Sequence, residues 1–187
     1  MSETLFTIGH GTVPAEALVA LLQRFGVRSV VDVRRFPGSE RYPQFNSDAL
    51  AATLATAGVG YRWEERMGGR RGVLERPPRD VALRNSAFRN YAAHMRTSDF
   101  RAAARELLDE AAASPTAVMC SESLWWKCHR RLVADYATLL AGSRVEHLMH
   151  DGKARPHVIT SGVRHANDEL IYDQAADEES VALRPDS

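Results

Sequence analysis

The hydrophobic pattern of the chain alternates between two kinds of segment. Short apolar runs rich in β-branched residues predict buried strands, and segments with an apolar side chain every three or four positions predict amphipathic helices. The predicted strands cover residues 5–11, 29–35, 60–65, 116–122 and 144–150. The predicted helices cover residues 14–25, 46–57, 88–95, 98–111 and 132–142. This alternation predicts an α/β fold, a single three-layer domain with a mainly parallel sheet of about five strands and helices on both faces.

The length of 187 residues fits one domain with one well-formed core. We expect that domain to span residues 1–165 and the acidic residues 166–187 to form a flexible C-terminal tail. No apolar run approaches the roughly 18 residues of a membrane span, and the N-terminus does not resemble a signal peptide. We therefore expect a cytoplasmic protein that has no membrane partner and keeps its two cysteines reduced.

Charge is balanced over the whole chain but unevenly distributed. The net charge is zero, which does not favour general binding to polyanions. Residues 62–105, however, hold 11 Arg against five acidic residues. Within this region, residues 67–85 are rich in Gly, Pro and Arg and show no periodicity, which predicts a long loop. The Arg-rich region is a candidate electrostatic face for nucleic acid.

Chemically versatile side chains follow several predicted strands. His10 follows the first strand, Asp32 and Arg34 end the second, Cys120 and Glu122 end the fourth, and His147 ends the fifth. In open parallel sheets the carboxyl ends of the strands share one edge, where ligands bind. The sequence therefore predicts a site at this edge, although strand ends are also polar simply because they meet solvent.

The segment 119–132, MCSESLWWKCHRRL, contains both cysteines. If a helix begins near Lys127, then Cys128, His129 and Arg130 lie in its first turn, where the backbone N–H groups and the helix dipole lower the pKa of a thiol. If the helix begins near Ser123, Cys128 is an ordinary core residue. The sequence leaves both alternatives open.

Four chemistries fit these residues. The first is nucleophilic catalysis by Cys120 or Cys128 with His129 or His10 as base. The second is acid/base catalysis by Glu122, Asp32 and a histidine. A metal site is the third and is not favoured, because the usual spacing of cysteine ligands is absent; its candidate ligands are Cys120, Cys128, His129 and His147. The fourth is purely structural: buried thiols and an ion network of Asp32, Arg34 and Arg130.

Several motifs together resemble the domain of unknown function 488 family. They are TIGHG at 7–11, VDVRRFPGSERYPQFN at 31–46, GVGYRWEERMGG at 58–69, CSESLWWKCHR at 120–130 and VEHLMHDG at 145–152. The resemblance implies a single α/β domain but no particular activity or cofactor. It marks His10, Asp32, Arg34, Ser39, Tyr61, Gly68, Gly69, Cys120, Glu122, Cys128, His129, Arg130 and His147. Gly11 departs from the pattern, because the family usually has Ser there, so a hydroxyl at that position is not essential in this chain.

The leading hypothesis is an enzyme that acts on a phosphate-bearing substrate, a nucleotide or a nucleic acid. Cys120, Glu122, Cys128, His129, His10 and Asp32 are the candidate catalytic residues. The candidate substrate-binding residues are Arg34, Arg130, Arg41, Ser39, Tyr61, Gly68 and Gly69. A non-catalytic nucleic-acid-binding module and a metal-stabilised structural domain are the alternatives. The sequence predicts no particular oligomeric state.

Overall fold

The computed structural model describes residues 4–175. Its centre is a six-stranded sheet with the strand order β3-β2-β4-β1-β5-β6. The strands are β1 (Thr4–Gly9), β2 (Ser29–Asp32), β3 (Gly60–Trp63), β4 (Thr116–Cys120), β5 (Arg144–Leu148) and β6 (Ala154–Pro156). The first five run parallel to their neighbours, and β6 pairs antiparallel with β5. The predicted α/β architecture is confirmed, with one more strand than expected.

The α-helices cover both faces of the sheet. They are α1 (Ala15–Arg24), α2 (Ser47–Thr56), α3 (Ser86–Met95), α4 (Ser98–Ala113) and α5 (Arg130–Ala141). One core lies between the sheet and α1 and α2, where Leu18 and Leu50 are fully buried. The other lies under α3, α4 and α5 and includes Phe100 and Leu132. Burial of each such side chain contributes about 1.5–3 kcal/mol, so the two cores fix the sheet between its helices.

The connections place a crevice between β1 and β4. After β1 the chain passes through α1 to β2 on one side, whereas after β4 it passes through α5 to β5 on the other. Adjacent strands whose connections diverge leave a gap at their carboxyl ends, where ligands bind in doubly wound sheets. Gly9 pairs with Cys120 in the register of these strands, so the end of β1 and the first cysteine lie side by side.

The helix that follows the second cysteine begins at Arg130, and His129 is its N-cap residue. A separate 3-10 turn, Trp125–Lys127, precedes it. The alternative of one continuous helix from Ser123 is therefore wrong. Cys128 stands directly before the N-cap residue, which is close to the alternative that put this thiol at the start of the helix.

The predicted flexible tail begins too early. A hairpin of β7 (Val163–Ala166) and β8 (Glu169–Tyr172) occupies its first residues, joined by a turn in which Asn167 and Asp168 have φ of +50° and +59°. Asn and Asp tolerate this left-handed conformation, which a two-residue hairpin turn requires. Tyr172 is fully buried in the main core. The rest of the predicted tail, residues 176–187, lies outside the described residues.

The long loop predicted for residues 67–85 is confirmed in outline. Between the 3-10 turn Glu65–Met67 and α3 the chain forms neither helix nor strand. None of the helices described between residues 4 and 175 combines the length and the apolar character that a bilayer crossing demands.

Candidate functional site: a cysteine-containing cleft

A cleft of about 790 Å³ opens at the carboxyl edge of the sheet. Residues after β1, β2 and β4 form its floor, α3 and the loop before it form one wall, and the turn before α5 forms another. Its volume is in the range of pockets that bind small organic molecules rather than single ions. The cleft coincides with the crevice that the strand order creates between β1 and β4.

Cys120 and Cys128 meet in the floor of this cleft. Both are free thiols, and their Sγ atoms lie 2.7 Å apart. Cys120 is 2% and Cys128 6% exposed, and both border the cleft. Cys120 ends β4 and Cys128 lies in the turn before α5, so the segment between them bends back and brings the two sulfurs together.

Arg130 contacts both cysteines from the side that faces away from the cleft. Its Nε donates to Cys120 Sγ at 2.9 Å, its Nη2 donates to the Glu122 carbonyl, and its backbone N–H donates to Cys128 Sγ at 3.5 Å. The guanidinium is 1% exposed and does not border the cleft. The expectation that Arg130 binds an anionic substrate directly is therefore replaced by a supporting role: its charge acts on the two sulfurs.

The two thiols differ in acidity. Burial raises the pKa of Cys128, but the hydrogen bond with Cys120 and the charge of Arg130 outweigh it and lower the pKa to about 6. Burial and the neighbouring Cys128 raise the pKa of Cys120 well above its usual range. Two groups this close titrate as a pair. At neutral pH the pair therefore holds one proton, on Cys120, and Cys128 carries the thiolate.

His129 is the nearest base. Its Nε2 lies 3.2 Å from the Val33 carbonyl oxygen, which can only accept, so Nε2 carries the hydrogen. The other ring nitrogen, Nδ1, then presents its lone pair to Cys128 Sγ at 3.6 Å. Burial lowers the pKa of His129, so the ring is neutral at pH 7. Gly69 gives this ring room, because a Cβ there would lie 3.0 Å from Nδ1.

A second polar group lies on the other side of the crevice. Asp32 and Arg34 form a buried ion pair in which Nη2 lies 2.6 Å from Oδ2, and Tyr61 donates to the same carboxylate at 2.7 Å. Arg34 Nη1 lies 3.3 Å from His10 Nε2, and His10 Nδ1 lies 2.9 Å from the Gly11 carbonyl oxygen. Burial lowers the pKa of His10 to about 4, so its ring is neutral and accepts from Arg34. The expected ion network is confirmed for Asp32 and Arg34 but does not include Arg130.

The charged groups that border the cleft are mostly basic. Arg34, Arg35, Arg70 and Lys127 line it together with one acid, Glu122. Arg34 is neutralised by Asp32, and Arg35 lies 3.7 Å from Glu65. Within residues 4–175, neither Arg70 nor Lys127 has a carboxylate within 4.0 Å. These two exposed cations give the mouth of the cleft its positive charge.

A chain of hydrogen bonds runs from Arg130 away from the cleft. Arg130 Nη1 donates to Thr7 Oγ1 at 3.1 Å, and Thr7 lies 2.6 Å from His147 Nδ1. His147 Nε2 lies 3.0 Å from His157 Nδ1, and His157 Nε2 lies 2.8 Å from Asp135 Oδ1. One assignment of hydrogens satisfies every link: each group donates to the next, from the cation to the carboxylate.

The last acceptor of this chain, Asp135, also joins the C-terminal hairpin to the core. It accepts from the Tyr172 hydroxyl at 2.9 Å and from the Thr160 backbone N–H at 2.9 Å. Burial, reinforced by the charge of Arg130, lowers the pKa of His147 to about 2. His147 is therefore neutral, stacks on Trp125 with ring centroids 4.0 Å apart, and forms part of this chain rather than of the cysteine site.

The predicted site residues fall into three groups. Bordering the cleft are His10, Arg34, Ser39, Gly69, Cys120, Glu122, Cys128 and His129. Outside the lining but in contact with lining residues or their partners are the buried Asp32 and Arg130 and the half-buried Tyr61. Outside the lining are Arg41, whose guanidinium lies over the Tyr42 ring, Gly68, which packs against the Arg35 backbone, and His147.

The candidate metal ligands do not all converge. Cys120, Cys128 and His129 are neighbours, but His147 lies beyond Thr7 and Arg130. Within the described part of the chain, no three His, Cys, Asp or Glu side chains are arranged to hold a metal ion.

Several lining residues were not predicted from the sequence. Phe36 follows β2, Tyr91 comes from α3, and Lys127 lies in the turn before α5. Arg70 follows the Gly68-Gly69 pair. Tyr91 had no signal, because its helix lies far along the chain and its hydroxyl reaches the Met67 carbonyl oxygen at 2.6 Å only in the folded state.

Fold and site together define a class: a doubly wound α/β domain with a paired-cysteine cleft at the switch point of its sheet. Residues 14–137, well over half of the chain, match the family described as Domain of unknown function DUF488, and the chain belongs to that family. The match extends from α1 into α5 and includes both cysteines. No curated protein and no solved structure matches the chain.

Proposed function

We propose that the chain is an enzyme that acts on a phosphate-bearing substrate of nucleotide size, with Cys128 as the nucleophile. The observation that carries the proposal is the acidic Cys128 thiol, which borders the cleft directly before α5. A thiolate is the reactive form of cysteine, and a pKa of about 6 makes it the main form at neutral pH.

The lining supports an anionic substrate. Arg70 and Lys127 at the mouth are free to contact a phosphate, and Arg35 is only loosely paired. Guanidinium groups match phosphate oxygens in pairs, whereas the Lys ammonium acts as a point charge. The rings of Phe36, Tyr42 and Phe88 line the same cleft and offer faces on which a base can stack.

The reaction is transfer of a phosphoryl group to sulfur followed by hydrolysis. The Cys128 sulfur attacks phosphorus and the bond to the ester oxygen breaks. Cys128 is already ionised at neutral pH, so its attack releases no proton and the leaving oxygen takes a proton from solvent. Water then cleaves the phosphorus–sulfur bond with the Glu122 carboxylate, at the rim of the cleft, as its base.

The nucleic-acid-binding alternative has weaker support. Ion pairs neutralise much of the Arg-rich region 62–105: Arg62 and Arg66 pair with Glu64, and Arg96 pairs with Asp80. A surface that is charged only in the sequence count attracts a polyanion weakly. The proposal assigns no role to a metal.

Release of inorganic phosphate from a panel of nucleoside monophosphates and an aryl phosphate tests the proposal. Cys128→Ser should lower the turnover number at least about 100-fold, because a serine hydroxyl is not ionised at neutral pH. Arg70→Ala and Lys127→Ala should raise KM about three- to tenfold with little change in the turnover number, since they contact the substrate equally in ground and transition states.

The matched control is Arg155→Ala, an exposed arginine outside the cleft that pairs with Asp151, which should leave both constants unchanged. The proposal is wrong if the reduced protein releases phosphate from no member of the panel. It is also wrong if Cys128→Ser is as active as the parent.

A further inference from the structure

The role of Cys128 as a nucleophile does not explain why a second cysteine, Cys120, lies beside it in the cleft. Nucleophilic catalysis by Cys128 needs a base and an anion-binding group, but it does not need a second thiol 2.7 Å away. Cys120 is buried at the end of the central strand β4, and its position is fixed by Arg130 Nε. Its sulfur is held against Cys128 rather than merely packed in the core.

The geometry of the pair is that of two thiols ready to form a bond. A disulfide is about 2.05 Å long, so the sulfurs need to approach by only about 0.7 Å. The chain contains no other cysteine, and both are at least nine-tenths buried, so each has only the other as an accessible partner. Pairing between two copies of the chain would require the cleft to open.

The two sulfurs also differ in the way that a redox pair requires. Cys128 borders the cleft, lies before the first turn of α5 and accepts the backbone N–H of Arg130, all of which favour the thiolate that attacks an oxidant. Cys120 retains its proton and lies deeper, as suits the thiol that resolves the first product. The roles follow from position: both cysteines border the cleft, and Cys128 is the more exposed of the two.

We propose that Cys120 and Cys128 form a redox-active dithiol that a peroxide oxidises to an intramolecular disulfide. In the first step the Cys128 thiolate attacks one peroxide oxygen, the O–O bond breaks, and a sulfenic acid forms while the other oxygen leaves as water or an alcohol. In the second step Cys120 sulfur attacks the Cys128 sulfur, the S–O bond breaks, the S–S bond forms and water leaves. Two thiol hydrogens and one peroxide thus give one disulfide, water, and a second water or an alcohol.

Hydrogen peroxide is the probe for this step, because it is small enough to reach sulfurs that are 2% and 6% exposed. The fully reduced protein is treated with a few equivalents of hydrogen peroxide and its intact mass is measured. We expect a loss of two hydrogens, no covalent dimer on a non-reducing gel, and complete recovery of the original mass with dithiothreitol.

The two single variants separate the roles of the sulfurs. Cys120→Ser should retain the first step, so its mass should increase by oxygen atoms and a sulfenic-acid reagent should label Cys128. Cys128→Ser should keep its mass over the same period, because the remaining thiol is buried and protonated. Circular dichroism tests whether both variants are folded. The unmodified protein gives a further test that needs no variant: its oxidation rate should rise with pH and be half-maximal near pH 6.

Three results overturn the proposal: an unmodified protein that gains oxygen instead of losing two hydrogens, one that keeps two free thiols, or one that forms dimers through these cysteines. None of these measurements uses a phosphate substrate. A failure here therefore leaves the proposed phosphate chemistry standing, and a reduced protein that releases no phosphate leaves the dithiol standing.

Discussion

The cysteine cluster and the histidine chain lie on opposite sides of Arg130 and differ in what surrounds them. Cys120 and Cys128 border the cleft, and the pKa values of the two thiols are shifted in opposite directions. His147 and Asp135 are fully buried, and every polar atom along their chain has a partner. The comparison teaches that perturbed, buried polar groups do not by themselves mark a reactive site. Contact with a cleft distinguishes a group that can react from one that holds the fold together.

Arg130 belongs to both clusters. On one side its Nε contacts Cys120, and on the other its Nη1 contacts Thr7. A buried guanidinium needs several acceptors, because an uncompensated buried charge costs several kcal/mol. The histidine chain supplies part of that compensation and leaves Nε and the backbone N–H for the two sulfurs. The histidine chain therefore helps to position the Arg130 guanidinium, whose charge acts on the cysteine cluster.

The largest effect is expected from removal of the Asp135 carboxylate, the last acceptor of the hydrogen-bond chain that starts at Arg130. Asp135→Ala removes the acceptor of His157, Tyr172 and the Thr160 N–H, so it should lower the free energy of unfolding by about 3–5 kcal/mol in urea denaturation. The control Asp109→Ala changes an exposed position of α4 and should stay within about 0.5 kcal/mol. A loss below about 1 kcal/mol for Asp135→Ala would show that the hydrogen-bond chain from Arg130 to Asp135 does not stabilise the fold.

The pH dependence of stability should come in part from the neutral histidine of the same chain. Because the pKa of His147 is lowered in the folded state, the unfolded chain binds a proton below about pH 6.5 that the folded chain does not. Stability should therefore fall as the pH drops from about 6.5 to about 4, by up to roughly 1.4 kcal/mol per pH unit for this group. His10, with its pKa lowered to about 4, adds to the same slope.

His147→Gln should make this slope shallower, measured as the free energy of unfolding in urea at several pH values. The control His165→Gln replaces an exposed histidine of β7 and should leave the slope unchanged. Equal slopes for all three proteins would contradict the neutral state of His147.

The smallest effect concerns the link between the clusters. Arg130→Lys keeps the charge but loses the planar fork that contacts Cys120 and Thr7 together. The pKa of Cys128 should rise from about 6 by about one unit or more toward its usual range, seen in the rate of thiol alkylation against pH. Arg131→Lys, next along α5 with its guanidinium over Phe88, is the control and should not shift that profile. An unchanged profile in Arg130→Lys would mean that the helix terminus alone sets the acidity of this thiol.

Periodicity predicted the fold because each element has one strong signal. Three of the parallel strands, β1, β2 and β4, are short runs of mainly apolar, buried residues, and Pro14, Gly26 and Gly142 mark where helices begin and end. β8 was missed, because Glu169–Tyr172 stands in an acidic stretch and its burial depends on contacts with residues far away in sequence. Local composition indicated flexibility there, and tertiary packing outweighed it.

The same reasoning applies to the site. Strand-end position predicted that His10, Arg34, Cys120 and Glu122 would share one edge, because parallel strands end together. It also predicted that His147 would belong there, and this was wrong for a physical reason. His147 pairs with Thr7 and Cys120 pairs with Gly9, so His147 lies further back along the sheet, and the Thr7 and Arg130 side chains fill the space between His147 and the cysteines.

By itself the sequence determined the α/β class, a mainly parallel sheet and the set of reactive residues at strand ends. These features depend on local patterns that each segment carries. Only the tertiary structure decided that the two sulfurs lie 2.7 Å apart and that Arg130 contacts them from the side away from the cleft. It also decided that Arg70 and Lys127 line the cleft with no carboxylate of residues 4–175 beside them. Those facts depend on distances between residues remote in the chain. Such distances are set by how helices pack on both faces of the sheet, which no local pattern encodes.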